Sequence, residues 1–493
     1  MGETVDKKRE VRYWIHTAVG LAFMFLFPLL PPFEPVTRVG MTIMGVFIGM
    51  VYLWSTTDSI WPSLLGLLLI ALSGYLGDVK GYAAVKQVML QAFGSDTMMV
   101  LMFGMILFGG VEYVGCTKYF TRFFLTRKII NGRPYMFMFM VFLCSYVLSG
   151  LTTPIASLLI LWPICADIMG SFGLKKGDKA FYIFIVGVYL AATLGQPMFP
   201  FKGAALVIVS AFENLSGETV NYVSYIAYNW IMSIILLLCY LLLIKLVIRP
   251  DLTAIRNVSI EQFKKEKLDP MNLTQKCFMG MIVVYITLLL IPCLMPKTIP
   301  FVAALDRIGV IGVSIVCIVV LMIVRDHGQS VLDFRSVAKR SFNWNTFCIV
   351  AAAIYAANAV SNDVTGIKPF LLQLLQPLLG GKPELVFVLL LLAFALITTN
   401  FANNAGMAVV LLPIVMTFAD QYPGVDPVVI CMSITMMVFV AILTPAASPF
   451  AGMLHGLKNM VSTKEIISIG LPMCIIALLV YTLIGFPIAR FLF

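Results

Sequence analysis

Long apolar runs follow one another from end to end of the chain, separated by short polar or basic segments. IHTAVGLAFMFLFPLL, VGMTIMGVFIGMVYLW, WIMSIILLLCYLLLIKLVI, FMGMIVVYITLLLIPCL and IGLPMCIIALLVYTLIGF are examples. Each supplies the core of a membrane-crossing helix, which needs about 17–25 residues. Taken together they predict about eleven crossings, along with segments too short or too polar to cross simply. The first run follows the basic leader MGETVDKKREVR. It has no small-residue cleavage site and precedes further runs, so it is expected to remain as the first helix. The predicted fold class is all-α and polytopic.

Two of the runs are broken by uncharged polar clusters, SGLTTP within 135–170 and TTNFANN within 386–417. These breaks belong to an internal repeat. FGSDTMMVLMFGMILFGGVEYVGCTKYF pairs with FNWNTFCIVAAAIYAANAVSNDVTGIKPF, LTTPIASLLILWPI with FANNAGMAVVLLPI, and FPFKG with SPFAG. The offset is 249 between Phe93 and Phe342, 250 between Pro163 and Pro413, and 249 between Pro200 and Pro449. The chain therefore divides into three leading scaffold helices (1–79), a first repeat (80–248), a basic linker with further scaffold helices (249–329) and a second repeat (330–493). Repeats of this kind point to secondary transporters, whose substrate sites lie near the bilayer midplane where discontinuous helices meet.

Unwound backbone at membrane depth leaves N–H and C=O groups without partners unless protein or water supplies them. Small hydroxyl and amide side chains are such partners. A half-helix starting at Pro154 or Asn404 also turns its positive dipole end and its free N–H groups toward the break, an arrangement that attracts an anion. A second reading of the same side chains is hydrogen bonding that glues helices together. Recurrence at one offset favours a site.

Composition changes the picture in three ways. The 493 residues are 60% hydrophobic and 12% charged, with a mean hydropathy of +0.97, which excludes a soluble globular protein. The net charge of +10 sits between spans, as in KYFTRFFLTRKIINGR and IKLVIRPDLTAIRNVSIEQFKKEKLD. That is the signature of cytoplasmic loops, not of a nucleic-acid partner, and with the basic leader it predicts a multi-pass cell-membrane protein whose N-terminus is cytoplasmic. The ten cysteines are scattered singly without CxxC spacing and read as small core residues. No Walker motif, HExxH or Gly-rich nucleotide loop is present, which argues against an ATP-driven pump or a membrane protease, and no enzyme activity is expected.

With these motifs in view, the whole chain resembles the divalent anion:sodium symporters, carriers of dicarboxylates, citrate or sulfate within the wider ion transporter superfamily. The leading segment FPLLPPFEPVTRVGMTIMGVFIGMVYLWSTTDSIWPSLLGLLLIALSG looks like that family's first three helices, and the landmarks at 93 and 342 look like the starts of its two re-entrant hairpins. The family carries a Ser-Asn-Thr motif and a later Thr-Pro-Pro-Asn-like loop in each repeat. Here the first motif falls on Thr153, Pro154 and Ile155, and the second on Asn403, Asn404 and Ala405. The later loops fall on Phe199, Pro200, Phe201 and Lys202, and on Ser448, Pro449, Phe450 and Ala451. The match in layout is nearly complete, whereas the motifs match in part.

The resemblance implies a homodimer formed through scaffold helices, a small-molecule anion as partner and, as the one cofactor, a sodium ion. A cation site in the second repeat would draw on Asn400, Asn404 and Thr444. In the first repeat, Pro154 and Ile155 replace the amide and hydroxyl, which argues against sodium there. Lys202 has two readings: an ammonium at membrane depth that stands in for sodium or meets the substrate, or a side chain near the interface that snorkels to water.

The expected substrate-binding residues are Thr152, Thr153, Pro154, Asn403, Asn404, Pro200, Lys202, Ser448 and Pro449. The expected function is secondary active transport of a small divalent organic anion, C4-dicarboxylate-like, by alternating access, with sodium as coupling ion. The alternative is a sodium-independent exchanger, or a proton-coupled permease of the same fold with another solute. Glu112 and Asp167 have two readings, a buried carboxylate that relays protons or, favoured here, a solvated position at a helix end. Ser95, Asp96, Thr97, Asn358, Asn362 and Asp363 either line the entry or, favoured again, are solvated loop residues, and His455 has no second metal ligand in reach.

Overall fold

A computed structural model describes residues 2–257, 268–379, 381–401, 404, 408, 411, 412, 415, 416, 426–445 and 447–493. Asn403, Ala405 and Pro413 lie outside the described residues, as does part of the basic linker.

Among the described residues, nine helices are long and apolar enough to cross a membrane, and six shorter apolar helices of 10–17 residues accompany them. The expected crossings thus divide into full-length spans and interrupted ones. Lys179–Gly195, Gly203–Ser216 and Glu384–Thr399 are short because each ends or begins at a polar break.

Element order recurs along the chain. A short helix, a break and a longer helix appear as Gly81–Phe93 and Asp96–Tyr113, then again as Phe334–Ser341 and Trp344–Ser361. Pro134–Leu151 is followed at once by Pro154–Ser171, and Glu384–Thr399 ends at Asn400. Lys179–Gly195 and Gly203–Ser216 have counterparts in Pro427–Met437 and Pro449–Gly456. Even the last spans correspond: Tyr222–Leu243 runs into a π-helical turn at Ile244–Ile248, and Thr463–Val480 into one at Tyr481–Gly485.

The three leading helices, Gly2–Phe25, Arg38–Thr56 and Ile60–Leu72, pack in sequence, and Ile60–Leu72 supports Trp344–Ser361. Leu273–Leu294 and Pro300–Ile323 form an antiparallel pair against Asp96–Tyr113. Only 22% of the most apolar stretch of Leu273–Leu294 is buried, so this pair turns most of its surface outward. A two-residue hairpin, Arg325–Asp326 with Gln329–Ser330, closes the loop after it. His327 and Gly328 at its tip both have positive φ (48° and 82°), the conformation that a tight two-residue turn requires.

The core is built from aromatic side chains on the helices that flank the breaks. Tyr146, Tyr189, Phe142 and Phe184 are all fully buried. Helices Pro134–Leu151 and Lys179–Gly195 approach closely where Gly195 faces the Tyr146 carbonyl. A Cβ on Gly195 would lie 2.1 Å from that oxygen, so only glycine permits this crossing.

Candidate functional site

The first break is a short, locally determined feature. Thr152 ends the helix Pro134–Leu151 with φ −127° and ψ −110°, and its hydroxyl bonds back to the Leu148 carbonyl at 2.6 Å. Thr153 is extended and caps the next helix, accepting the Ala156 N–H at 3.2 Å, with Pro154 at the first helical position. Proline lacks an N–H and has a fixed φ, so it suits that position, where no intrahelical donor is needed. The later loop of the second half uses the same device: Ser448 is extended, accepts the Ala451 N–H at 3.1 Å and precedes Pro449. Each hydroxyl satisfies one of the free donors of a helix start.

These breaks meet at a cavity of about 580 Å³. Thr152, Thr153, Pro154, Lys202, Asn404, Ser448 and Pro449 all line it, which brings most of the sequence-predicted substrate residues from both halves onto one surface. Pro200 does not line it; it is buried beneath, within the FPFK loop. Asn403 lies outside the described residues.

Among the described residues, four helices begin at this cavity: Pro154–Ser171, Gly203–Ser216, Trp344–Ser361 and Pro449–Gly456. Their starting residues Pro154, Gly203, Trp344 and Pro449 all face it. Each start carries unpaired N–H groups and about half a unit of positive charge. Among the described lining residues, Lys202 and Arg340 add two cationic side chains, against one carboxylate, Glu112. Hydroxyl and amide groups supply the remaining polarity, and Phe108, Phe342 and Phe450 the apolar walls. A cavity of this size with convergent donors suits a small anion.

Lys202 does not snorkel outward. Its ammonium donates to the carbonyls of Ser149 (3.2 Å), Gly150 and Thr152, at the C-terminal end of Pro134–Leu151. It also stands 4.7 Å from the centroid of the Phe108 ring. The loop that carries it is held by stacked rings: Phe199 lies 6.2 Å from Phe108 and 5.3 Å from Phe201, and Phe201 meets Tyr285 of the scaffold helix edge-on at 5.7 Å.

The second-half cluster sits just behind the cavity. Asn400 accepts the N–H groups of Ile442 (3.0 Å) and Leu443 (2.8 Å) on its side-chain oxygen and donates its amide to the Leu396 carbonyl at 2.7 Å. Thr444 donates its hydroxyl to the Asn400 carbonyl. Thr399 donates to the Asn404 side-chain oxygen at 2.8 Å. Asn400 and Thr444 are thus joined directly, and Asn404 is held by Thr399, the residue before Asn400; of the three, Asn404 alone reaches the cavity lining. His455 bonds the Ile442 carbonyl at 3.0 Å and braces the same turn.

Several lining residues were not among the expected ones. Glu112 points into the cavity and accepts from the Thr153 hydroxyl at 3.4 Å. Its position at a helix end reads as solvated until the fold turns that end inward. Asn343, Trp344, Asn345 and Thr346 form one wall, with Arg340 before them. Their signal was the repeat itself, because they follow Phe342 as Gly94, Ser95, Asp96 and Thr97 follow Phe93. The first-half counterparts do not line the cavity.

A family profile described as the sodium:sulfate symporter transmembrane region matches residues 11–493. An uncharacterized transporter of Haemophilus influenzae is 20% identical over 467 residues, covering 92% of either chain. Among solved structures, the crystal structure of the YdaH transporter of Alcanivorax borkumensis aligns with a TM-score of 0.57 at 14% identity. That alignment covers 86% of this chain and 97% of the other. At that identity the likeness speaks to the fold alone.

Proposed function

The chain belongs to the sodium:sulfate symporter family, and from that premise we propose that it is a secondary active transporter of a small divalent organic anion of the C4-dicarboxylate kind. The observation that carries this reading is the meeting of four helix N-termini, two cations and both broken segments at one cavity. One carboxylate of the substrate lies against Thr152, Thr153 and the start of Pro154–Ser171. The other lies against Asn404, Ser448 and the start of Pro449–Gly456. Helix starts neutralise each end without a dedicated counter-ion, and Lys202 and Arg340 make the cavity positive overall. Asn403 belongs to the same proposal by its place in the second motif. Pro200 and Pro449 shape their loops.

The two halves then move against the scaffold so that the cavity opens to one side at a time, the working mode of repeat-built carriers. In the symport reading, sodium binds at Asn400, Asn404 and Thr444, whose oxygens are the kind a hard cation takes. The exposed scaffold pair Leu273–Leu294 and Pro300–Ile323 supports a homodimer through those helices, and the loop charge supports a cytoplasmic N-terminus in the cell membrane.

A second reading, sodium-independent exchange, is favoured by Lys202, a cation that never leaves. Uptake of labelled succinate into proteoliposomes tests both. Sodium-driven accumulation supports symport, and uptake that needs internal succinate and ignores sodium supports exchange. Binding of an unrelated solute with no binding of dicarboxylate by the purified protein would sink the proposal.

A further inference from the structure

We propose that the Lys202 ammonium is a built-in cation of the first half, seated in a backbone-oxygen site that would otherwise take a free monovalent cation, so that this half binds no coupling ion. This inference rests on the transport reading and concerns the coupling of that same site.

An ammonium group has three N–H donors and no acceptor. Among the described residues, the three hydrogen-bond partners of the Lys202 ammonium are all backbone carbonyls, those of Ser149, Gly150 and Thr152. These oxygens belong to the last turn of Pro134–Leu151 and the break after it, where a helix has carbonyls without intrahelical donors and a negative dipole end. Converging carbonyl oxygens at a helix C-terminus are what a hard monovalent cation takes in a membrane protein. With its donors used in this way, Lys202 has no N–H left for the substrate and acts on an anion through its charge alone. The Phe108 ring covers a further side of the group.

The second half lacks this device. The repeat sets Ala451 against Lys202, and Ala451 is buried with only a methyl to offer. There the carbonyl of Asn400 takes the Thr444 hydroxyl, a neutral donor. At these paired seats the first half therefore carries a fixed charge, and the second leaves any charge to a mobile ion. A fixed cation gives no coupling, because it cannot be released on the far side.

Two variants test this in the full-length protein. Lys202→Ala empties the seat, and Lys202→Gln keeps a donor of similar reach without charge. Gel filtration establishes which of them folds. At one fixed sodium concentration, succinate uptake by the folded variant is expected to fall about tenfold or more below the wild type, because the carbonyls lose their cation. Methylammonium at millimolar concentration is expected to restore a substantial part of it while leaving the wild type unstimulated. A separate readout needs no substrate: sodium, against choline at equal ionic strength, is expected to raise the melting temperature of Lys202→Ala by more than that of the wild type, since a ligand that binds only the folded state stabilises it.

Wild-type uptake without added cation in either folded variant would overturn the proposal, as would failure of every cation to rescue or stabilise a folded variant. If neither variant folds, wild-type uptake against sodium concentration decides. Dependence on the first power of sodium, or none, agrees with the proposal, and dependence on a higher power overturns it. Should the wild type fail to carry succinate at all, the substrate assignment falls while the melting comparison still judges the cation seat.

Discussion

The hydroxyl of Tyr189 donates to the carbonyl of Ala441 at 2.8 Å, which ties a helix of the first half to the later loop of the second. Tyr189 is fully buried, as is Ala441. The next two residues, Ile442 and Leu443, give their N–H groups to Asn400. One tyrosine thus holds the segment on which the second break is built. Tyr189→Phe leaves that carbonyl buried without its donor, at about 1–3 kcal/mol. The expected result is a lower melting temperature in detergent, read by thermal unfolding, with cavity residues and substrate specificity intact. An unchanged melting temperature would remove the tyrosine from this role.

Asn400 is the organising side chain of the second break, since its amide makes three hydrogen bonds to backbone, one to the helix before the break and two to the later loop at Ile442 and Leu443. Asn400→Ala removes all three and is expected to lower uptake by more than about tenfold. Asn400→Asp keeps the acceptor for Ile442 and Leu443 but loses the donor to Leu396, and is expected to fall between. Transport assays of both variants in the same vesicles check the order. A wild-type rate for the alanine variant would show that the network is dispensable.

The architecture was legible because membrane helices announce themselves by length and by apolar runs, and because broken helices mark their breaks with residues the bilayer would otherwise reject. Thr153 before Pro154 and Ser448 before Pro449 are local signals, readable as cap and first helical residue without any tertiary knowledge. What lay beyond the sequence was long-range. Glu112 faces inward only because Asp96–Tyr113 ends beside the first break, and the three carbonyls around Lys202 come from a helix some fifty residues earlier. Asymmetry between the halves was likewise hidden: Asn345 and Thr346 reach the cavity, whereas Asp96 and Thr97 do not. A repeat predicts matching elements, but packing decides which copy is turned toward the site.

The hydroxyl caps give a third expectation. Thr153→Ala and Ser448→Ala each remove a side chain that holds a helix start facing the cavity. Each loss costs about 1 kcal/mol of helix stability. Because the same helix starts are proposed to receive the anion, KM for succinate is expected to rise in both variants. Thr153→Ser and Ser448→Thr, which keep the hydroxyl, should retain KM near the wild-type value. If the alanine variants lowered only the melting temperature and left KM alone, the caps would be structural and the anion would sit elsewhere.

Charge inside the cavity gives the last expectation. Arg340 and Glu112 both line it, with opposite signs, and neither takes part in the Lys202 carbonyl seat. Arg340 stands on the short helix Phe334–Ser341 and is exposed at the cavity wall, where its field draws an anion in. Glu112 repels the same anion from the opposite helix end. Arg340→Gln is therefore expected to raise KM for succinate several-fold, with the difference from wild type shrinking as ionic strength rises and screens the charge. Glu112→Gln is expected to lower KM or leave it unchanged, and never to raise it. Initial uptake rates at low and high choline chloride measure both. A rise in KM for Glu112→Gln would mean that the carboxylate supports the site through the Thr153 hydroxyl and does not oppose the anion.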